Sequence, residues 1–437
     1  MEKMYQYLWR TAALGRDFCL TDGRKVHVAN PGRQNFNAGP DFSSARITVN
    51  QTQWAGNVEI HMKASDWFHH GHDRDPAYDQ VMLHVVGADD KAVCRADGTP
   101  IPTLVLAVPE EARRLYSSLT STVAEKIRCA HSISRLQPLE REDWLESLAI
   151  ERLQEKADRI LTENASLRGD WEQTCFVTLA RGLGFGLNGT PFEMLARSLP
   201  LKFIRRHSDN SFQIEALLFG QAGMLDSSCR IFDEYYQQLC REYFFLARKY
   251  SLKPLKPSVW KYSRTRPQNF PHRRIAFLCK ALEGGRPLMG SILDADTPER
   301  TSRLFGWILS GFWHTHFSFD APATRAADRL GQASIDSLAI NVAAPLLYAY
   351  AAQRGDDTPA ERALRLLESL PPEKNSLTRD FESLGIHAHN AMRSQALVQL
   401  HKRYCDENRC LECRFSNRMI AAVAREASAS YRAAEWT

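Results

Sequence analysis

The period of the apolar residues changes once along this chain, and that change limits the fold more than any single motif. Early on, apolar and polar residues alternate in short runs: KVHVA, ARITVN, NVEIHM, VMLHVV and, after the turn DGTP, TLVLAV. A period of two over four to eight residues is the signature of strands. Met4, Tyr5, Leu8, Trp9 and Ala12 precede them with helical spacing. The stretch ASDWFHHGHDRDPAYDQ lies between NVEIHM and VMLHVV and reads as a loop with a short helix. From EREDWLESLAIERLQEKADRILTE onward the pattern turns helical, with many i,i+4 charge pairs. The expected class is α+β. Residues 1–115 form an α/β domain with a mixed sheet, and residues 138–437 form a large all-α domain, a bundle or a solenoid, ending in a cysteine cluster.

Composition narrows the setting. Of 437 residues, 44% are hydrophobic, enough for sizeable cores. A net charge of +5 argues neither for nor against nucleic acid, so any basic track must be local. The N-terminus MEKMYQYLWRTAALGRDF lacks the apolar core of an export signal. No apolar run reaches the roughly 18 residues a membrane span needs. Ten cysteines without an export signal then point to a reducing cytoplasm, with no membrane partner.

The stretch NAGPDFSSARITVNQTQWAGNVEIHMK carries the densest chemistry. On a strand, Glu59, His61 and Lys63 share one face, and Val58, Ile60 and Met62 share the other. Asp41 opens the preceding strand, and NQTQ is a plausible hairpin turn, which brings Asp41 toward Glu59. Two carboxylates can hold Mg²⁺ or Mn²⁺ through oxygen, and the ion can activate water, with His61 or Lys63 handling its proton. The alternative is a solvated hairpin face.

These residues resemble the PD-(D/E)XK nuclease motif, in which Asp lies at one strand and (Asp/Glu)-x-Lys on the next. The resemblance implies a restriction-endonuclease-like core, with Asp41 and Glu59 holding a metal. It departs at His61, which stands where the family has Lys.

SDWFHHGHDRDPAY adds His70 and His72, with His69, Asp73 and Asp75 nearby. Imidazoles around a glycine can bind a transition metal, act as a general acid, or contact phosphate. Asp75-Pro76 reads as a helix start, with Asp as N-cap. His84, in VMLHVV, reads as a core histidine.

Cys405, Cys410 and Cys413 are spaced C-x4-C-x2-C, a pattern suited to Zn²⁺ or to an iron–sulfur cluster. The fourth ligand would be His401 or a remote thiol such as Cys129, and the segment is expected to close the helical bundle. Two basic stretches complete the candidates. KFIRRHSDNSF holds Arg205 and Arg206, and WKYSRTRPQNFPHRR holds Lys261, Arg264, Arg266, Arg273 and Arg274 among aromatics. Together they could track DNA or RNA. Arginines in such loops also commonly pin helix ends through carbonyls.

Over nearly its full length the chain resembles a family of uncharacterised bacterial proteins known only as a domain of unknown function. The runs AGPDFSSARI, WAGNVEIH, SDWFHHGHDRDPAYDQVMLHVV, SDNSFQIEALLFGQAGML and RTRPQNFPHRRIA carry that resemblance. The expected function is a divalent-metal-dependent nuclease or nucleic-acid-binding protein. The alternatives are an inactive nuclease-fold scaffold and a hydrolase of a small phosphorylated substrate built on the histidines.

Overall fold

Alternation in the early part of the chain produces one mixed sheet. The computed structural model describes residues 2–35, 37–121, 126–226, 233–263, 265–324 and 326–434. Helix α1 (Glu2–Thr11) precedes strands β1 (Asp17–Cys19), β2 (Lys25–Asn30), β3 (Arg33–Gln34), β4 (Phe42–Val49) and β5 (Thr52–Lys63). After the short helix α2 (Asp66–His69) come β6 (Val81–Ala88), β7 (Thr103–Val105) and helix α3 (Glu110–Thr120). The strand order is β1-β2-β4-β5-β6-β7, with β3 paired to β4. Pairing is antiparallel up to β5, then parallel from β5 to β6 and from β6 to β7.

Three local features place the chemistry. The β4–β5 hairpin turns on Asn50 and Gln51, with φ of 44° and 74°. Two successive left-handed residues match the twist of a two-residue hairpin. At the other end the pairing runs Phe42↔Val58, then Ala45↔Gly56, so a bulge lies at Ser43 and Ser44 beside Asp41. Bulges re-aim side chains at the end of a ladder. Third, α1 packs on β5. Gly87 permits that approach: a Cβ there would stand 2.9 Å from the Tyr5 hydroxyl and 2.8 Å from the Met62 carbonyl. The centre of β5 is consequently buried on both faces. Val58 and Ile60 are buried, and so are Glu59 and His61.

The described chain divides into two compact units. One comprises Met1–Leu145, Ser383–Gly385 and Leu400–Thr437, and the other Glu146–Glu382 and Ile386–Gln399. This corrects the expected division at 115 and 138. The cysteine-bearing segment belongs with the sheet, because the C-terminal helix Arg414–Ala434 packs on α3 rather than closing the bundle. The second unit is mainly helical but not all-α as expected, because His316–Ser318 pairs antiparallel with Ala321–Pro322; its core includes Phe176, Phe192, Phe219, Phe277 and Leu346. Within it Gln332–Arg354 is long and apolar enough to cross a membrane, contrary to the expectation of no such run. Of its most apolar 18-residue window, 67% is buried inside the protein, as in a core helix.

Candidate metal centre

Asp41 and Glu59 meet across the hairpin. The Asp41 backbone N–H donates to Glu59 Oε2 at 2.9 Å, and the Ile60 N–H donates to Asp41 Oδ2 at 3.1 Å. Gln6, on α1, donates to Asp41 Oδ1 at 2.8 Å. Each acid therefore fixes the backbone of the other's strand, and both Asp41 oxygens already accept a hydrogen bond. Burial, and then the charge of Glu59, pushes the Asp41 carboxyl up to about 7.

His61 follows Glu59 on the same face of β5. Its Nε2 lies 3.6 Å from Glu59 Oε1 and 3.1 Å from His70 Nδ1. Its Nδ1 lies 2.8 Å from Nε2 of the fully buried His84. His72 brings a second imidazole to Glu59, with Nε2 at 3.4 Å from Oε1. His61, His70 and His72 each offer a ligand nitrogen, and the three lie within 4.8 Å of one another. Burial, and then the neighbouring imidazoles, drives His61 down to about 3. Burial, and then His72, takes His84 down to about 4. Both rings are therefore neutral, with lone pairs available.

Loop geometry explains why His70 and His72 both reach His61, with ring centroids at 4.9 and 5.3 Å. Gly71 between them is left-handed, with φ of 74°, so the chain reverses there. Trp67, fully buried, anchors the loop, with its ring 5.4 Å from those of His72 and His84. Tyr78 stacks on His72 at 3.7 Å. Asp75 caps the 3₁₀ turn Pro76–Tyr78, accepting from the Ala77 N–H at 2.9 Å, as the sequence indicated.

The comparisons bear on this unit and on most of the second. A family model described as "Protein of unknown function (DUF2851)" matches residues 2–376. The chain belongs to that family. No curated protein and no solved structure matches it significantly. The matched residues include every member of the histidine cluster.

Lys63 does not join the cluster. Its side chain is exposed, and its charge lies near Asp90. Three participants escaped the sequence reading as site residues. Gln6 holds Asp41, Glu2 lies near His70 and Glu59, and His84 backs His61. The spacing of Glu2 and Gln6, one helical turn apart, was the available signal.

The basic stretches resolve differently. Arg273 is fully buried and donates to the carbonyls of Trp313, His316 and Ala327. Arg274 is buried over the Phe185 ring, its guanidinium carbon 4.2 Å from the centroid, and bonds Asn269. Arg273 is an internal tie, and Arg274, buried on Phe185, reaches only a pocket, so neither belongs to the exposed basic track that was expected. Arg205 pairs with Glu172 at 2.6 Å. Arg206, Lys261 and Arg266 are exposed, and Arg264 lies outside the described residues. Arg266 and Arg274 line a pocket of about 460 Å³ with Phe185 and Asn188.

Proposed function

We propose that the first unit is a metal-dependent hydrolase of phosphodiesters in DNA or RNA, with the ion held by His61, His70, His72 and Glu59. The convergence of three imidazole nitrogens, with Glu59 Oε1 beside two of them, carries this reading. His61 is buried and held neutral, and the His70 and His72 rings converge on it, so one cation can take a lone pair from each. Three nitrogens and one carboxylate suit Zn²⁺, Mn²⁺ or Fe²⁺. Mg²⁺ prefers an octahedron of oxygens. Asp41, whose two oxygens already accept from Gln6 and Ile60, acts in this reading by positioning Glu59.

The order of elements supports the substrate class. After α1 and three short strands come a hairpin with Asp41 at one strand and Glu59-x-His61 on the next, a short helix and a parallel strand, an order that resembles the nuclease-like one read from the sequence. His61 in place of Lys fits an ion ligand at that position. A bound divalent ion would supply Lewis-acid activation of water and of a phosphoryl oxygen. The chain's own part is orientation. With its Nε2 on an ion, His61 must carry its proton on Nδ1, where His84 Nε2 accepts it. His84 thereby fixes the tautomer and tilt of His61.

The test is cleavage of a panel of single- and double-stranded DNA and RNA by the purified full chain with Mn²⁺, Zn²⁺ or Mg²⁺. Metal content is measured beside activity. Cleavage should appear with Mn²⁺ or Zn²⁺ and fall at least about 100-fold in Glu59→Gln and His72→Ala, on the scale of a lost transition-state contact. A stoichiometric ion with no cleavage of any substrate would remove the phosphodiester half. Failure to bind any ion would remove the whole reading.

A further inference from the structure

The other metal-ligating residues of the first unit come from opposite ends of its sequence. Cys129 stands just before the 3₁₀ turn Ala130–Arg135, and that turn packs on the C-terminal helix Arg414–Ala434. Cys405 ends the π-helical turn His401–Cys405, and Cys410 opens the 3₁₀ turn Cys410–Glu412, which packs on α3. Cys413 follows it, its N–H donating to the Cys410 carbonyl at 3.2 Å. The sulfurs are electrostatic neighbours: Cys405 senses Cys129, Cys413 and Cys410, and Cys129 senses Cys413 and Cys410. His401, the other residue considered as a fourth ligand, faces Asp406 with its Nδ1 3.2 Å from the carboxylate. All four cysteines are free thiols.

Burial is the largest influence on all four sulfurs and holds each thiol above its ordinary value, and hydrogen-bond donors around two of them act against it. Arg128 donates to the Cys410 sulfur, and the backbone N–H groups of Phe415 and Ser416 donate to that of Cys413. N–H donors aimed at sulfur favour a thiolate over a thiol. Cys410 and Cys413 are buried, and Cys129 and Cys405 are half-buried.

Spacing then separates one ion from a cluster of ions. The four cysteines stand on or beside turns that pack on one another or on the C-terminal helix, with Cys129 remote in sequence from the other three. An iron–sulfur cluster spreads its four thiolates over two or more irons, so that no three need gather at one point. The C-x4-C-x2-C run with a remote fourth cysteine is a spacing such clusters use.

We propose that Cys129, Cys405, Cys410 and Cys413 together ligate an iron–sulfur cluster that fastens the C-terminal segment to the sheet-bearing unit. The site is separate from the histidine centre, and the inference stands whether or not that centre cleaves phosphodiesters.

The experiment is anaerobic purification of the full chain, with iron, zinc and acid-labile sulfide measured against protein and a visible spectrum recorded. Iron and sulfide in matching stoichiometric amounts, with a broad visible charge-transfer band, are expected. Cys129→Ser and Cys410→Ser should each lose the band and most of the iron, while Cys94→Ser, outside the group, keeps both. Stoichiometric zinc without sulfide, or no metal after anaerobic reconstitution with iron and sulfide, would overturn the proposal. So would a Cys129→Ser variant that retains the full iron content. If a variant fails to fold, the iron and sulfide content of the unaltered protein still decides.

Discussion

The two units bury polar groups in opposite ways. In the helical unit, Arg273 reaches three backbone carbonyls, and the contacts hold loops to a helix. In the sheet unit, Glu59, His61, His70 and His72 meet mainly one another, side chain to side chain, around one point. A buried polar group whose partners are complementary backbone atoms is part of the fold. One whose partners are other titratable side chains is a candidate for function, and the proposed ion site rests on that contrast.

Breaking the tie in the helical unit should have the largest effect on stability. Arg273→Met strands three carbonyls and should cost about 3–5 kcal/mol in denaturant unfolding, without changing ion binding at the histidines. A loss below about 1 kcal/mol would erase the contrast between the units. Conversely, His70→Ala removes an exposed ring from the histidine site. It should leave unfolding of the metal-free protein within about 0.5 kcal/mol while weakening Zn²⁺ or Mn²⁺ binding at least tenfold by calorimetry. A ring that proves structural would show the reverse pattern.

Ion binding should itself stabilise the sheet unit. At 100 times the dissociation constant the gain is about 2.7 kcal/mol, and His72→Ala should abolish it. Acid gives a smaller signature. His61 and His84 have folded values held down to about 3 and about 4, below the ordinary histidine value of 6.5. Their stabilising contribution is whole above 6.5 and is lost as pH falls toward those values, because only the unfolded rings take up protons in between. His84→Gln should flatten the pH dependence of unfolding of the metal-free protein between pH 6.5 and 4. An unchanged slope would mean that His84 is not the neutral, buried ring described. Smallest of all, Lys63→Ala should alter ion binding by less than about twofold, since its side chain is exposed on the surface.

Much of the local structure was legible because it depends on short-range rules. The Asn50–Gln51 turn, the strands, the Asp75 cap and the approach of Asp41 to Glu59 follow from alternation and turn chemistry. The shared face of Glu59 and His61 was legible as well, but its burial was not. Alternation reports which side a residue faces, not what covers that side. Here α1 packs on β5, bringing Gln6 to Asp41 and Glu2 near His70. The arginines misled for a related reason: RTRPQNFPHRR looks alike whether its cations meet phosphate or carbonyls, and only the fold of the second unit decides. Cys129 and His401 could both be named as a fourth ligand with no ground to choose, because the elements around Cys129 lie at the far end of the chain.

That long return of the chain has a consequence for synthesis. The sheet unit opens the sequence, yet its partition includes Leu400 onward, and the whole stretch Glu146–Gln399 emerges from the ribosome in between. At roughly 5–20 residues per second, that interval is on the order of 10–50 s. Through it the nascent sheet waits with the surface of α3 uncovered, while the helical unit can complete itself. The earliest part of the chain to be made is therefore the last to be finished, and a chain stopped before Leu400 would release its first unit incomplete.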